Sequence, residues 1–234
     1  MPRALTVTGA RLPDGSTGGL RAVDGVITEL GPEVVARPDD EHLDATGLTL
    51  AAPFVNGHTH AAMTLLRGYG DDLPLMEWLE TRIWPAEARL TPEHVYWGTR
   101  LAAIEMIRSG TLRCWDMYFH APQVARAFAD AGMRASVSQV ILEVPGAPDD
   151  ARPEAAEAGL AAIAAAGPLI TPCLGPHAIY TVGPDALRRI AELAARHGAP
   201  IHIHLAETAS EVDACVAEHG LRTVPYLDSL GLLT

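Results

Sequence analysis

Cysteine is scarce in this sequence, and Cys114, Cys173 and Cys215 stand far apart with no C-x-x-C spacing. An odd, scattered set excludes a disulfide framework and a thiolate zinc site, and reads instead as small buried hydrophobes. Positive charge is also short. The 17 Lys and Arg face 29 Asp and Glu, a formal charge of -12, so the surface repels nucleic-acid phosphate and anionic lipid. A small neutral or cationic substrate fits that field better, and neither nucleic acid nor membrane is an expected partner; association with further copies of itself stays open. No apolar run approaches the roughly 18 residues of a spanning helix, and no basic segment followed by an apolar stretch opens the chain, so a cytoplasmic location is expected. Three catalytic signatures are missing as well: the G-x-S-x-G elbow, H-x-E with P-C-x-x-C, and G-x-G-x-x-G between a strand and a helix. Their absence argues against a serine hydrolase, a cytidine-type zinc deaminase and a dinucleotide-binding domain.

What is present suffices for a sizeable core, since 48% of the 234 residues are hydrophobic and 20% charged. Residues 1–50 hold short apolar runs at 4–7, 22–30 and 48–52, with a Pro13-Asp14-Gly15-Ser16 turn among them, and predict a small separate β lobe. From residue 51 strands alternate with helices. The strands are expected at 48–55, 112–117, 134–142, 169–174 and 200–205, and the helices at 92–109, 123–131, 154–166, 185–197 and 210–219. Such alternation implies parallel strands with right-handed crossovers, in a barrel or a doubly wound sheet. Five units are visible where a closed barrel has eight and about 250 residues, so the barrel is expected to be incomplete, with a sixth strand due near the chain's end.

The strongest chemical signal is Asn56-Gly57-His58-Thr59-His60, directly after an apolar strand. Residues i and i+2 of a strand share a face, so two imidazoles meet at the strand's C-terminal end, where barrel active sites lie. An ideal strand would hold them about 7 Å apart. Convergence on one ion therefore requires a curl, for which Gly57 is the expected source. The second signal is His202-Ile203-His204-Leu205-Ala206-Glu207. There His204 is the better ligand, His202 reads as a hydrogen-bonded core residue, and Glu207 lies just past the strand end, where a carboxylate can shuttle protons. Three imidazoles from two strands suit one divalent ion, zinc first and iron as the alternative.

These words, together with Leu66-Arg67-Gly68, the run Trp84 to Thr91, Asp116 to His120 and Gly175-Pro176-His177, resemble the amidohydrolase superfamily. Within it, the sequence is most similar to deaminases of 5′-methylthioadenosine and S-adenosylhomocysteine, in the group that includes triazine hydrolases and cytosine deaminases. The resemblance implies an α/β fold: a TIM-like barrel over 51–234, here about five of eight units, with residues 1–50 forming part of a small β-sandwich. It implies that His58, His60 and His204 bind the metal. It further implies that Glu207 is catalytic, protonating the purine ring as water adds, that His177 contacts the nucleoside, and that Glu87 accepts ribose hydroxyls. Read from the residues alone, Glu87 and His177 are ordinary loop residues. His94, His120, His197 and His219 read as hydrogen-bonded or solvent-facing, and Trp84 as packing or base-stacking.

Two departures from the family pattern stand out. Where relatives carry an arginine after the third barrel strand, the matching position is Gln139, with Arg152 as a partial substitute. Losing that charge-assisted pair is expected to weaken S-adenosylhomocysteine more than 5′-methylthioadenosine or 5′-deoxyadenosine, which lack the carboxylate. The family's later water-orienting His and metal-binding Asp fall beyond residue 234, so these residues alone are expected to be inactive. The alternatives are another hydrolase of the group, acting on triazines, cytosine or guanine, or a non-catalytic remnant.

Overall fold

Short alternating strands and Asp-Gly turn chemistry build the first unit of the computed structural model, which describes residues 4–233. The chain divides into Met1–Pro53 and Phe54–Thr234. In the first unit β1 (Ala4–Arg11), β2 (Thr17–Val23), β3 (Val26–Gly31) and β4 (Glu41–Asp44) form one sheet in the order β3-β2-β1-β4. The β1–β2 and β2–β3 pairs are antiparallel, whereas β4 lies parallel to β1. The apolar run at 22–30 is not one strand. Asp24 and Gly25 take positive φ values of 50° and 80°, the geometry of a tight hairpin turn, and split the run between β2 and β3. Val7, Ala10 and Ala45 form the core of this sheet.

The run at 48–55 is also divided. Residues 48–50 continue along β1 through Arg11 N–H donating to Leu48 O and Leu50 N–H donating to Arg11 O, each at 2.9 Å. The next strand, β5, starts only at Phe54 and ends at Thr59. Pro53 lies between them and has no N–H to carry a ladder across.

The second unit holds β5, β6 (Thr111–Tyr118), β7 (Arg134–Ile141) and β8 (Ile170–Pro176), paired in parallel in chain order. Its helices are the short α1 (Leu75–Trp78) and α2 (Trp84–Glu87), then α3 (Pro92–Arg108), α4 (Ala121–Asp130), α5 (Ala156–Ala164), α6 (Pro184–His197), α7 (Ala209–His219) and α8 (Thr223–Ser229). The longer helices from α3 to α7 fall within a few residues of their expected positions. Thr91 and His94 close a capping box at the start of α3, which gives His94 its hydrogen-bonded role. Left-handed Gly198 and Gly220 end α6 and α7. Alternate strand residues face the helices: Cys114 and Val137 pack with Val95, Val124 and Phe128. Ile141 and Leu174 pack with Leu160, Leu187, Ile190 and Leu227.

The expected fifth barrel strand at 200–205 is an interrupted one. Leu174 N–H donates to Pro200 O at 2.9 Å and His202 N–H donates to Leu174 O at 2.8 Å, continuing the parallel ladder. The next rung would need an N–H from Pro176, which has none. The register then slips: bridges pair Leu174 with Ile201 but Ala178 with His204, four residues along one chain against three along the other. After α7 the chain adds α8 over Thr223–Ser229, a short helix that the sequence reading did not separate.

Candidate metal centre

Both histidine words lie at the C-terminal rim of the parallel sheet, and a bulge aims each. On β5, Asn56 pairs with Cys114 and Thr59 with Asp116, so three steps of β5 oppose two of β6. The extra residue curls the strand around Gly57 and His58. Gly57 itself has open space around its Cβ position and no positive φ, so the curl comes from the bulge and not from glycine's freedom. The slip opposite Pro176 re-aims His204 in the same way.

The result is a near-equilateral triangle of nitrogens. Nε2 of His58 lies 3.3 Å from Nε2 of His60, and His204 Nε2 lies 3.2 Å from each. Tetrahedral ligands at about 2.0–2.1 Å from a zinc ion stand roughly 3.3 Å apart. The spacing and the donor set therefore fit one such ion, and these three residues are the one group among those described with that capacity.

The opposite side of each ring fixes its tautomer. Nδ1 of His60 lies 2.5 Å from Met117 O, and Nδ1 of His204 lies 3.0 Å from His177 O. A carbonyl oxygen only accepts, so both rings carry hydrogen on Nδ1 and direct a lone pair from Nε2 into the triangle. Nδ1 of His58 instead meets Nε2 of His202 at 2.8 Å, and Nδ1 of His202 meets Ser138 Oγ at 3.0 Å. With His58 Nε2 committed inward, its Nδ1–H donates to His202, whose own Nδ1–H donates to Ser138. His202 is thus hydrogen-bonded, as its position suggested, and it orients one corner of the triangle. Burial pushes the imidazoles of His60 and His202 down to about 4, and neighbouring imidazoles add to the effect. Both are neutral near pH 7.

His177 follows β8, and its ring centroid lies 4.8 Å from that of His204. Thr181 Oγ1 donates to Ala178 O at 3.1 Å and so accepts from His177 Nδ1 at 3.0 Å, which leaves His177 Nε2 as an acceptor. Burial lowers this imidazole from 6.5 to about 4. A group whose folded value is depressed contributes stability above its unfolded value, and that contribution is lost as pH falls toward the folded one. Metal-free protein is therefore expected to lose roughly 3 kcal/mol through His177 between about pH 6.5 and 4. Thermal melts across that window should show a shallower fall for His177→Asn; equal slopes would contradict the assignment.

Glu87, at the end of α2, accepts the Tyr118 hydroxyl at 2.7 Å, and burial raises its carboxyl above the usual range. The Tyr118 ring lies 6.4 Å from that of His60. Glu207 follows left-handed Ala206, and its charge acts on His60 and on Tyr180. Arg152 donates to Val144 O at 3.4 Å in the segment after β7. Gln139 faces the helix layer instead of the site. Its amide donates to Asp150 O at 2.5 Å and Val140 O at 3.1 Å, and its side chain fills the space where a Cβ on Gly159 would lie. Its amide is thus occupied by two backbone carbonyls.

The remaining histidines have structural partners. His120 lies 3.5 Å from Asp150, His197 lies 2.6 Å from Glu157, and the His219 ring stacks on Tyr226 at 4.0 Å. Sequence reasoning gave no role to Ser138, Asp116 or Glu211. Asp116 is fully buried, accepts Ala61 N–H at 2.6 Å, and is raised to about 7 by burial. A lone acid inside an apolar strand was the available signal.

Parallel strands covered by helices, with three imidazoles converging at the strands' C-terminal ends, define the second unit as an α/β sheet carrying a candidate metal centre. The chain belongs to the amidohydrolase family, whose profile matches residues 49–233. It is 47% identical over 190 residues to the 5-methylthioadenosine/S-adenosylhomocysteine deaminase of Pelotomaculum thermopropionicum, covering 81% of this chain and 44% of that one. It is 42% identical to the 5'-deoxyadenosine deaminase of Methanospirillum hungatei, covering 99% and 53% respectively. A zinc-bound adenosine deaminase from Xanthomonas campestris superposes with a TM-score of 0.88 at 35% identity, over 98% of this chain and 55% of that one. The chain spans about half the length of the curated relatives it matches. Among the described residues no helix is long and apolar enough to cross a membrane.

Proposed function

We propose that the full-length protein is a metal-dependent deaminase of adenosine-type nucleosides, namely 5′-methylthioadenosine, S-adenosylhomocysteine or 5′-deoxyadenosine. Water adds at C6 of the purine, ammonia leaves, and the inosine analogue remains. The observation that carries this reading is the triangle of Nε2 atoms from His58, His60 and His204, read beside deaminase relatives above 40% identity. When bound there, a divalent ion, zinc by the donor set, supplies Lewis-acid activation of water at neutral pH.

The chain's own residues then divide the remaining work. Glu207, three residues past His204, moves a proton between the incoming water and the purine ring nitrogen. His177 offers an Nε2 acceptor beside His204, suited to a purine N–H. Glu87, held by the Tyr118 hydroxyl, accepts ribose hydroxyls with its free carboxylate oxygen. Arg152 supplies a cation to a 5′ substituent only if its loop turns inward, since its guanidinium is drawn to Val144 O. With Gln139 turned to the helix layer, the site favours neutral 5′ substituents.

Release of ammonia from a panel of adenosines, cytosine and guanine, and of chloride from chloro-triazines, tests the proposal. Turnover is expected for adenosines alone, and Glu87→Ala is expected to lower kcat/KM about 100-fold through lost charge-assisted hydrogen bonds. Faster turnover of a ribose-free substrate, or full activity of Glu87→Ala, would overturn it.

A further inference from the structure

Ala206 stands between the ligand His204 and Glu207, and it takes a φ of 56°, a left-handed conformation that residues with a Cβ adopt rarely. Something must hold it there. Glu211, in the first turn of α7, is only 6% exposed, and its two carboxylate oxygens accept the N–H of Ala206 at 3.0 Å and of Glu207 at 2.8 Å. Its own N–H donates to the Thr208 hydroxyl at 3.1 Å, as in an ordinary helix cap. In a capping box an acid at this position would turn back to the N–H of Thr208 itself. Here the carboxylate reaches one and two residues further. Consecutive N–H groups converge when one residue of a turn is left-handed, forming a concavity suited to an anion. The chain fills that concavity with its own Glu211.

We propose that Glu211 is the positioning residue for Glu207: by binding both N–H groups it fixes the turn that aims the Glu207 carboxylate at the imidazole triangle. The inference rests on the reading of Glu207 as the proton carrier. Fixing the backbone at 206 and 207 fixes the direction of the Glu207 Cα–Cβ bond, and a misplacement of about 1 Å at a reacting group costs about 100-fold in rate. The hydrogen bonds of Glu211 act on the reaction through Glu207, while its charge also bears on His204.

The test uses the full-length, metal-loaded protein with 5′-methylthioadenosine. Glu211→Ala is expected to lower kcat about 100-fold with KM within about twofold and metal content unchanged, and Glu211→Gln, which keeps one acceptor oxygen, about tenfold. Glycine takes the left-handed turn without penalty, so Ala206→Gly in the Glu211→Ala background is expected to recover part of the loss. Amide hydrogen exchange should accelerate at residues 206 and 207 in Glu211→Ala while the body of α7 stays protected. An unchanged kcat, a loss that glycine at 206 does not relieve, or loss of bound metal would each overturn the inference. If the unaltered protein deaminates no adenosine, the functional reading fails, and unaltered exchange at 206 and 207 would still sink the clamp on its own.

Discussion

Replacing His204 by alanine in the full-length protein is expected to remove bound metal and to lower kcat/KM by about 10⁴-fold or more. His204 closes the triangle through 3.2 Å separations to both other imidazoles, so its loss leaves two imidazoles from a single strand. The aspartate expected beyond residue 234 would not restore the missing corner, and the three-imidazole set that suits a zinc ion is broken. The rate would then revert toward that of unactivated water. Metal content measured by mass spectrometry, beside the deamination rate, checks both halves. His204→Ala protein that keeps stoichiometric metal would remove His204 from the centre.

A second large loss is expected at Glu207, of a different kind. Glu207→Gln keeps the size and the backbone N–H that Glu211 accepts, but cannot carry a proton. The expected result is a fall in kcat of about 10³-fold, with KM and metal content close to those of the unaltered protein. The pair of experiments separates two jobs, since His204 removes metal and rate together and Glu207 removes rate alone. A Glu207→Gln enzyme within tenfold of normal kcat would assign the proton to another group.

Residue types and spacing made the candidate ligands legible, because H-x-H at the end of an apolar strand and H-I-H-L-A-E further on are short-range patterns. Their convergence was not legible in the same way. It arises from two register slips, one around His58 and one opposite Pro176, and a slip depends on which strand lies alongside. Pro176 was a visible cue, since a proline beside a central strand removes a rung, but the rung it removes belongs to a distant segment.

The same limit applies to Gln139. Its match to the family's arginine position came from resemblance, whereas the alternation of β7 puts Ala135, Val137, Gln139 and Ile141 on one face, and Val137 and Ile141 pack against helices. Parity along the strand carried the right answer. Asp24-Gly25 was similarly in view as a hairpin turn inside a run read for its apolar residues. Glu211, by contrast, looked like a common first-turn acid, and only the left-handed Ala206 reveals its grip on the preceding turn.

The tautomer lock described for the three imidazoles has a thermodynamic side. Three lone pairs held 3.2–3.3 Å apart, each ring anchored from behind, repel one another when nothing positive stands between them. An ion held between them would relieve that repulsion and would favour the folded state over the unfolded one. Folding and capture of the ion would then form one linked equilibrium, in which free metal concentration sets how firmly the rim of the sheet holds together.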